Sequence, residues 1–140
     1  MAVVVFDADV LIAYLNRDDA HHTDAVRKMR SALEPGTRRL VSAVNYTEVL
    51  IGPLTRIGAK GIATVDGMLD HLGFETVEVD ADLARRAATV RVRTRLKLPD
   101  AYALATALDA ETRAHAPVTV ESFDKKVITA LATLRRPNRV

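Results

Sequence analysis

The chain has 140 residues, 49% of them hydrophobic, with a formal net charge of +2 and no cysteine. That length fits one domain over residues 1–140, and the hydrophobic share excludes a disordered chain because enough apolar surface is present to offset the entropy of ordering. The lack of cysteine excludes disulfides, a thiolate nucleophile and cysteine-ligated zinc.

Taken in chain order, Val3 to Phe6 is an unbroken apolar run, the pattern of a strand covered on both faces. It meets an acid at once and has no basic segment before it, so it reads as a first strand and not as a leader peptide. No apolar run approaches the ~20 residues needed to span a bilayer, and a cytoplasmic protein is expected. Val10 to Leu15 reads as a helix, and Asp19 to Leu33 as a second one ended by Pro35-Gly36. Arg39 to Ser42 is a short strand. Val44 to about Ile57 is helical, with a kink expected at Pro53. Gly61 to Leu72 is a helix closed by Gly73, and Phe74 to Val79 alternates as a strand. A long helix runs from Asp82 to about Lys97, capped by Asp80 or Asp82. Pro99 opens the next helix, to about Arg113. Val118 to Glu121 is a strand and Lys125 to Leu134 a final helix. A fifth, edge strand is expected near Arg139-Val140. Strands separated by helices imply an α/β fold, a parallel sheet of four or five strands with helices on both faces.

In such a sheet, ligands bind at the carboxyl ends of the strands, where strand order reverses. Asp7 directly follows the first strand, and Asp124 lies just past the last. Each reads equally well as a helix cap. Glu48 and Asp100 are harder to explain structurally. Asp100 begins a stripe continued by Leu104, Ala107 and Leu108. Glu48 sits among Val44, Val49, Leu50 and Ile51. A carboxylate buried on such a face is costly unless a cation compensates it. Four converging acids would also repel one another and raise at least one pKa. An all-oxygen donor set suits Mg²⁺ or Mn²⁺. Such an ion polarises a water and stabilises charge on phosphoryl oxygens, which points to phosphodiester hydrolysis without a covalent enzyme intermediate.

These residues resemble the PIN-domain nucleases, specifically the toxin subunits of VapBC-type toxin–antitoxin pairs. Phe6-Asp7-Ala8-Asp9-Val10-Leu11-Ile12 is similar to the family's opening motif, whose first Asp is a metal ligand; that role falls on Asp7. Ser42 to Glu48, continuing Val49-Leu50-Ile51-Gly52, is similar to the segment carrying the second acid, Glu48. Leu98-Pro99-Asp100-Ala101-Tyr102-Ala103-Leu104-Ala105-Thr106-Ala107 is similar to the family's most recognisable segment and places the third acid at Asp100. Ser122-Phe123-Asp124 is similar to the Thr/Ser-x-Asp motif and places the fourth at Asp124. The resemblance covers nearly the whole chain, in order. It implies a PIN-like α/β/α sandwich, usually a homodimer. The implied activity is that of a metal-dependent endoribonuclease cutting structured RNA such as tRNA or ribosomal RNA. The implied partner is a cognate antitoxin that blocks the acidic pocket. The family more often has Ser, Thr or Asn where this chain has Asp9. That acid reads either as the cap of the first helix, the favoured reading, or as a carboxylate holding a metal-bound water from one layer out.

From Leu83 to Pro99 there is no acid, but Arg85, Arg86, Arg91, Arg93, Arg95 and Lys97 all fall there. Such a stripe is either a solvated helix face or a rail for the phosphates of RNA. Arg135, Arg136 and Arg139 form a basic tail, expected to be mobile, with the same two readings. His21 and His22 are adjacent, a poor spacing for one metal, and are assigned to surface or packing roles. Tyr46 and Tyr102 neighbour the acids and are assigned to the core ahead of substrate contact. Ser42 and Ser122 are expected to donate hydrogen bonds that orient the carboxylates. A non-catalytic PIN-like module that only binds RNA or a partner is disfavoured because all four acids are present, and two other functions stand as alternatives. One is a PIN-type nuclease acting in RNA processing or on DNA. The other is a phosphatase, because Val5-Phe6-Asp7-Ala8-Asp9 is also similar to the opening of haloacid-dehalogenase-type phosphotransferases, where the first Asp is a nucleophile. That motif's following Gly-Thr is missing here, and no Lys motif or late acidic pair follows.

Overall fold

β1 (Ala2–Phe6) is strand-forming because Val3, Val4, Val5 and Phe6 are β-branched or aromatic and find cover on both sides. The structure, a computed structural model, describes residues 1–136. After β1 come α1 (Ala8–Leu15), α2 (His22–Ala32), β2 (Thr37–Ser42), α3 (Ala43–Ile57), α4 (Lys60–His71) and β3 (Phe74–Val77). The chain continues through α5 (Ala81–Thr94), α6 (Leu98–Ala114), β4 (Val118–Glu121) and α7 (Lys125–Leu134). The strands form one parallel sheet in the order β3-β2-β1-β4. The chain winds outward from β1 through β2 to β3, then returns to place β4 on the other side of β1. Strand order therefore reverses at β1, and the carboxyl ends of β1 and β4 flank the resulting crevice.

The side chains of β1 alternate between two cores. Val3 and Val5 join Leu40, Leu83, Leu104, Val120 and Val127 beneath α5, α6 and α7. Phe6 joins Leu11, Met29, Val41, Val49 and Val65 beneath α1 to α4. Phe6 also meets Phe74 edge to face, with ring centroids 5.1 Å apart. The expected α/β/α layering with four parallel strands is thus what the chain adopts. The expected fifth strand near Arg139-Val140 lies outside the described residues.

Several element ends differ from the sequence reading for local reasons. α1 starts at Ala8, two residues early, because Asp7 caps it by accepting from the Ala8 amide. α2 starts at His22 and not Asp19, because Asp19 closes a turn instead, its carboxylate accepting from the His21 amide. α3, by contrast, runs through Pro53 to Ile57, the end expected from sequence. β3 stops at Val77 and α5 at Thr94, where Arg95 turns left-handed at φ 60°. At the start of α4, a Cβ on Gly61 would stand 2.5 Å from the Pro53 carbonyl carbon, so glycine lets α3 and α4 touch backbone to backbone.

Candidate functional site

The crevice is built by two loops that leave β1 and β4. Asp7, only 4% exposed, holds both of its carboxylate oxygens in hydrogen bonds. One accepts from the Ala8 amide at 2.8 Å and the other from the Ser122 hydroxyl at 2.9 Å. Ser122 is also 3.3 Å from an Asp9 oxygen and accepts from the Asp124 amide at 3.0 Å. Asp9 accepts from the Phe123 amide at 2.9 Å. Asp124 caps α7, accepting from the Lys126 amide. The cap and ligand readings of Asp7 and Asp124 are therefore compatible. Each acid caps a helix while standing at the crevice, since a helix begins where its strand ends.

Asp9 does not cap α1, contrary to the favoured sequence reading. Asp7 occupies the cap position, and Asp9 sits in the first turn, where its carboxylate ties the β1–α1 junction to the β4–α7 loop. Its other oxygen, Oδ1, is buried without a hydrogen-bond partner.

The second pair of acids comes from α3 and α6. Glu48 and Asp100 are partly exposed, not buried as their apolar neighbours suggested. The buried face of α3 is Asn45, Val49 and Pro53, and Ile51 is 58% exposed, so Glu48 lies at the rim of that face. In α6 the buried run begins at Ala101, and Asp100 stands at its open end.

Asn45, not singled out by the sequence reading, links the two. It is fully buried, accepts from the Ser42 hydroxyl at 2.7 Å, and donates to Glu48 Oε1 at 3.0 Å and to the Pro99 carbonyl at 3.1 Å. Ser42 therefore reaches the carboxylates only through Asn45, whereas Ser122 touches Asp7 directly. The sequence signal for Asn45 was a Ser cap with a polar residue three positions later, the spacing of a reciprocal capping pair. Replacing Asn45 by Ala would strand the Pro99 carbonyl and the Ser42 hydroxyl. A loss of about 1–3 kcal/mol in urea unfolding is expected, because buried groups left without partners pay their full desolvation cost. An unchanged midpoint would assign Asn45 no bracing role.

The acids sense one another. Burial first, then Asp9 and Asp100, push the Asp7 carboxyl up from its ordinary 3.8 to about 7, against the pull of Ser122 and Ala8. Burial also raises Asp9, with Asp124 adding to it. Asp100 is raised by burial and by Asp124, Glu48 and Asp9, while Lys97 pulls it down. The four acids and Asp9 thus form one electrostatic cluster. Its donors are all carboxylate oxygens, one of them orphaned, a set that fits a hard divalent ion. Among the described residues no three of them converge tightly enough to hold one ion in this arrangement.

The cations of the basic stripe differ in their partners. Arg85 pairs with Asp82, and Arg86 stands 4.0 Å from Asp109. Arg91, Arg93, Arg95 and Lys97 are exposed and make no ion pair among the described residues. Arg135 has partners within the fold. Its guanidinium is 3.0 Å from Glu111 and also donates to the Val118 carbonyl. Arg139 lies outside the described residues. His21 stacks on Phe123 at 4.8 Å, and His22 bonds to the Ala13 carbonyl. Tyr46 bonds to Asp66, and Tyr102 packs against the core. No helix among the described residues is long and apolar enough to cross a membrane.

Solved structures of known proteins share the fold. VapC20 of Mycobacterium tuberculosis, a toxin that cleaves the sarcin-ricin loop, is 21% identical, with a TM-score of 0.70 over 91% of this chain and 94% of that one. VapBC-1 from nontypeable Haemophilus influenzae is 12% identical, with a TM-score of 0.68 over 94% and 93%. A toxin–antitoxin complex from Klebsiella pneumoniae is 24% identical, with a TM-score of 0.58 over 88% of each chain. At these identities the likeness concerns the fold. No curated protein sequence matches the chain significantly. The sequence profile of the PIN domain matches residues 4–135, a span that takes in the end of β1, the other three strands and every acid of the cluster, and the chain belongs to the PIN-domain family.

Proposed function

We propose that this chain is a metal-dependent endoribonuclease, one domain over residues 1–140, and the toxin of a toxin–antitoxin pair. Asp7, Glu48, Asp100 and Asp124 would hold Mg²⁺ or Mn²⁺, and Asp9 would support the ion from one layer out. The observation that carries this reading is the mutually coupled carboxylate cluster at the point where strand order reverses. When bound, the ion supplies a more acidic water and neutralises charge on the phosphoryl group.

The chain's own residues do the positioning. Ser122 fixes Asp7 and the start of α7 together, and Asn45 fixes Glu48 relative to the first turn of α6. Asp9 braces the β4–α7 loop from below. The phosphatase alternative needs Asp7 as a free nucleophile. The family match is instead to the PIN domain, and the phosphatase motif's following Gly-Thr is missing. RNA processing or DNA cleavage remains the second reading, because a carboxylate cluster does not read the sugar.

The antitoxin is proposed to lie along the exposed apolar residues Ile12, Ile51, Leu54 and Ile57 beside Glu48, where an inserted Arg would fork onto a carboxylate. A homodimer in the cytoplasm is proposed for the toxin itself. The direct test is RNA cleavage after dialysis against EDTA. Activity is expected to vanish and to return with Mg²⁺ or Mn²⁺, and undiminished cleavage in EDTA would remove the metal from the mechanism.

A further inference from the structure

Beside the acid cluster, between the end of α5 and α7, runs a groove of about 470 Å³ lined by Arg93, Thr94, Leu96, Lys125, Lys126 and Thr129 among others. Its two walls lead directly into the cluster. Lys125 follows Asp124 in the chain, and the wall containing Arg93 and Leu96 continues through Lys97 to Asp100. Lys97 is near enough to Asp100 to favour its charged form. The three groove cations, Arg93, Lys125 and Lys126, are exposed and have no ion-pair partner among the described residues. By contrast Arg85, Arg86, Arg113 and Arg135 are paired with carboxylates. Carboxylates are absent from the groove lining. Its floor is apolar, because Leu96 and Ala130 are partly buried against the core.

A polyanion gains most from cations that surrender no existing partner when they bind it, and a phosphodiester strand also presents sugars that pack on apolar surface. We infer that the groove between α5 and α7 holds the backbone of the RNA next to the cleaved bond, with Arg93, Lys125 and Lys126 on its phosphates and Leu96 and Ala130 against a ribose. This deepens the reading of the chain as an RNA nuclease and rests on it. It also divides the basic stripe expected from sequence. The carboxyl-terminal part of α5 serves the substrate together with the first turn of α7, which the stripe did not include, while Arg85 and Arg86 already have carboxylate partners at the surface.

The test is binding of a fluorescein-labelled single-stranded oligouridylate to the native chain in EDTA, so that cleavage does not intervene, titrated at several salt concentrations. The variant Arg93→Ala/Lys125→Ala/Lys126→Ala should bind less tightly. Its plot of log affinity against log salt should be shallower by about 2, at ~0.7 per phosphate contact on a single strand. The charge-matched variant Arg85→Ala/Arg86→Ala/Arg113→Ala should keep the native slope. Three outcomes overturn the inference: an unchanged slope in the groove variant, an equal loss in the charge-matched variant, or no binding by the native chain. Competition by polyglutamate as effective as by RNA would assign the groove to an acidic protein segment instead. Cleavage that survives EDTA while binding still depends on the groove would sink the metal reading and leave the groove standing.

Discussion

Asp7→Asn is expected to lower RNA cleavage by more than about 100-fold, because losing even a residue that only orients a metal ligand costs 10–100-fold. The same change should make the metal-free protein more stable above neutral pH. Asp7 is 4% exposed, and its carboxyl is pushed up to about 7 by burial and by Asp9 and Asp100. In the unfolded chain it ionises near 3.8. Below that pH the carboxyl is protonated in both states and costs nothing. As pH rises toward 7, the unfolded chain loses its proton and the folded one keeps it, so stability falls across that window and then levels off. Asn cannot ionise, so its stability profile should lose this fall. Its amide oxygen can still accept from the Ala8 amide, and its NH₂ can donate to Ser122, which keeps a donor role toward Asp9. Thermal melts from acid to alkaline pH in EDTA, beside cleavage assays on the same preparation, check both halves. Near-native cleavage would remove Asp7 from the site. A variant as pH-sensitive as the native chain would show that its burial is relieved by other means.

Leu104→Ala is the largest stability effect expected from a single truncation. Leu104 is fully buried in α6, the helix that lies on β1, β2 and β4 and also packs against α5. Its helical neighbours Ala101, Ala103, Ala105 and Ala107 are small and already in close contact with their surroundings, so they cannot move in to fill the space. A loss of about 2–5 kcal/mol is expected, the sum of lost transfer energy and a cavity that does not collapse. Asp100 lies one turn before Leu104, so slackening α6 should also loosen one acid of the cluster. Urea unfolding followed by circular dichroism checks the first point. A loss below about 1 kcal/mol would mean that α6 shifts to close the gap. Cleavage by the folded fraction at low temperature checks the second.

Both predictions depend on placements that the sequence and the tertiary structure decided separately. Hydrophobic period and punctuation were enough to locate every described strand and helix, because a strand covered on both faces leaves an unbroken apolar run such as Val3 to Phe6, and Pro and Gly mark most element ends. The acids Asp7, Glu48, Asp100 and Asp124 were legible from the run of short motifs that each one sits in. Which atoms brace them was not. Asn45 joins α3 to the start of α6 across 54 positions of chain, and Ser122 reaches Asp7 across 115; such bonds exist only once the sheet has brought distant loops to one edge.

The degree of burial was also a tertiary matter. Apolar neighbours in sequence placed Glu48 on a buried face, yet a helix turns by 100° per residue, and the face covered by α4 and the sheet centres on Asn45 and Val49, with Glu48 at its rim. That Asp7 and not Asp9 caps α1 has the same origin, since the cap position depends on where the backbone leaves the strand and not on which acid comes second. The basic stripe divides for an electrostatic reason. Arg86 is drawn to Asp109 on the neighbouring helix, a carboxylate 23 positions further along the chain, whereas Arg93 faces a groove whose other wall supplies Lys125 and Lys126. Charge counted along a sequence gives the supply of cations; only packing decides which of them are already paired and which remain available to a phosphate.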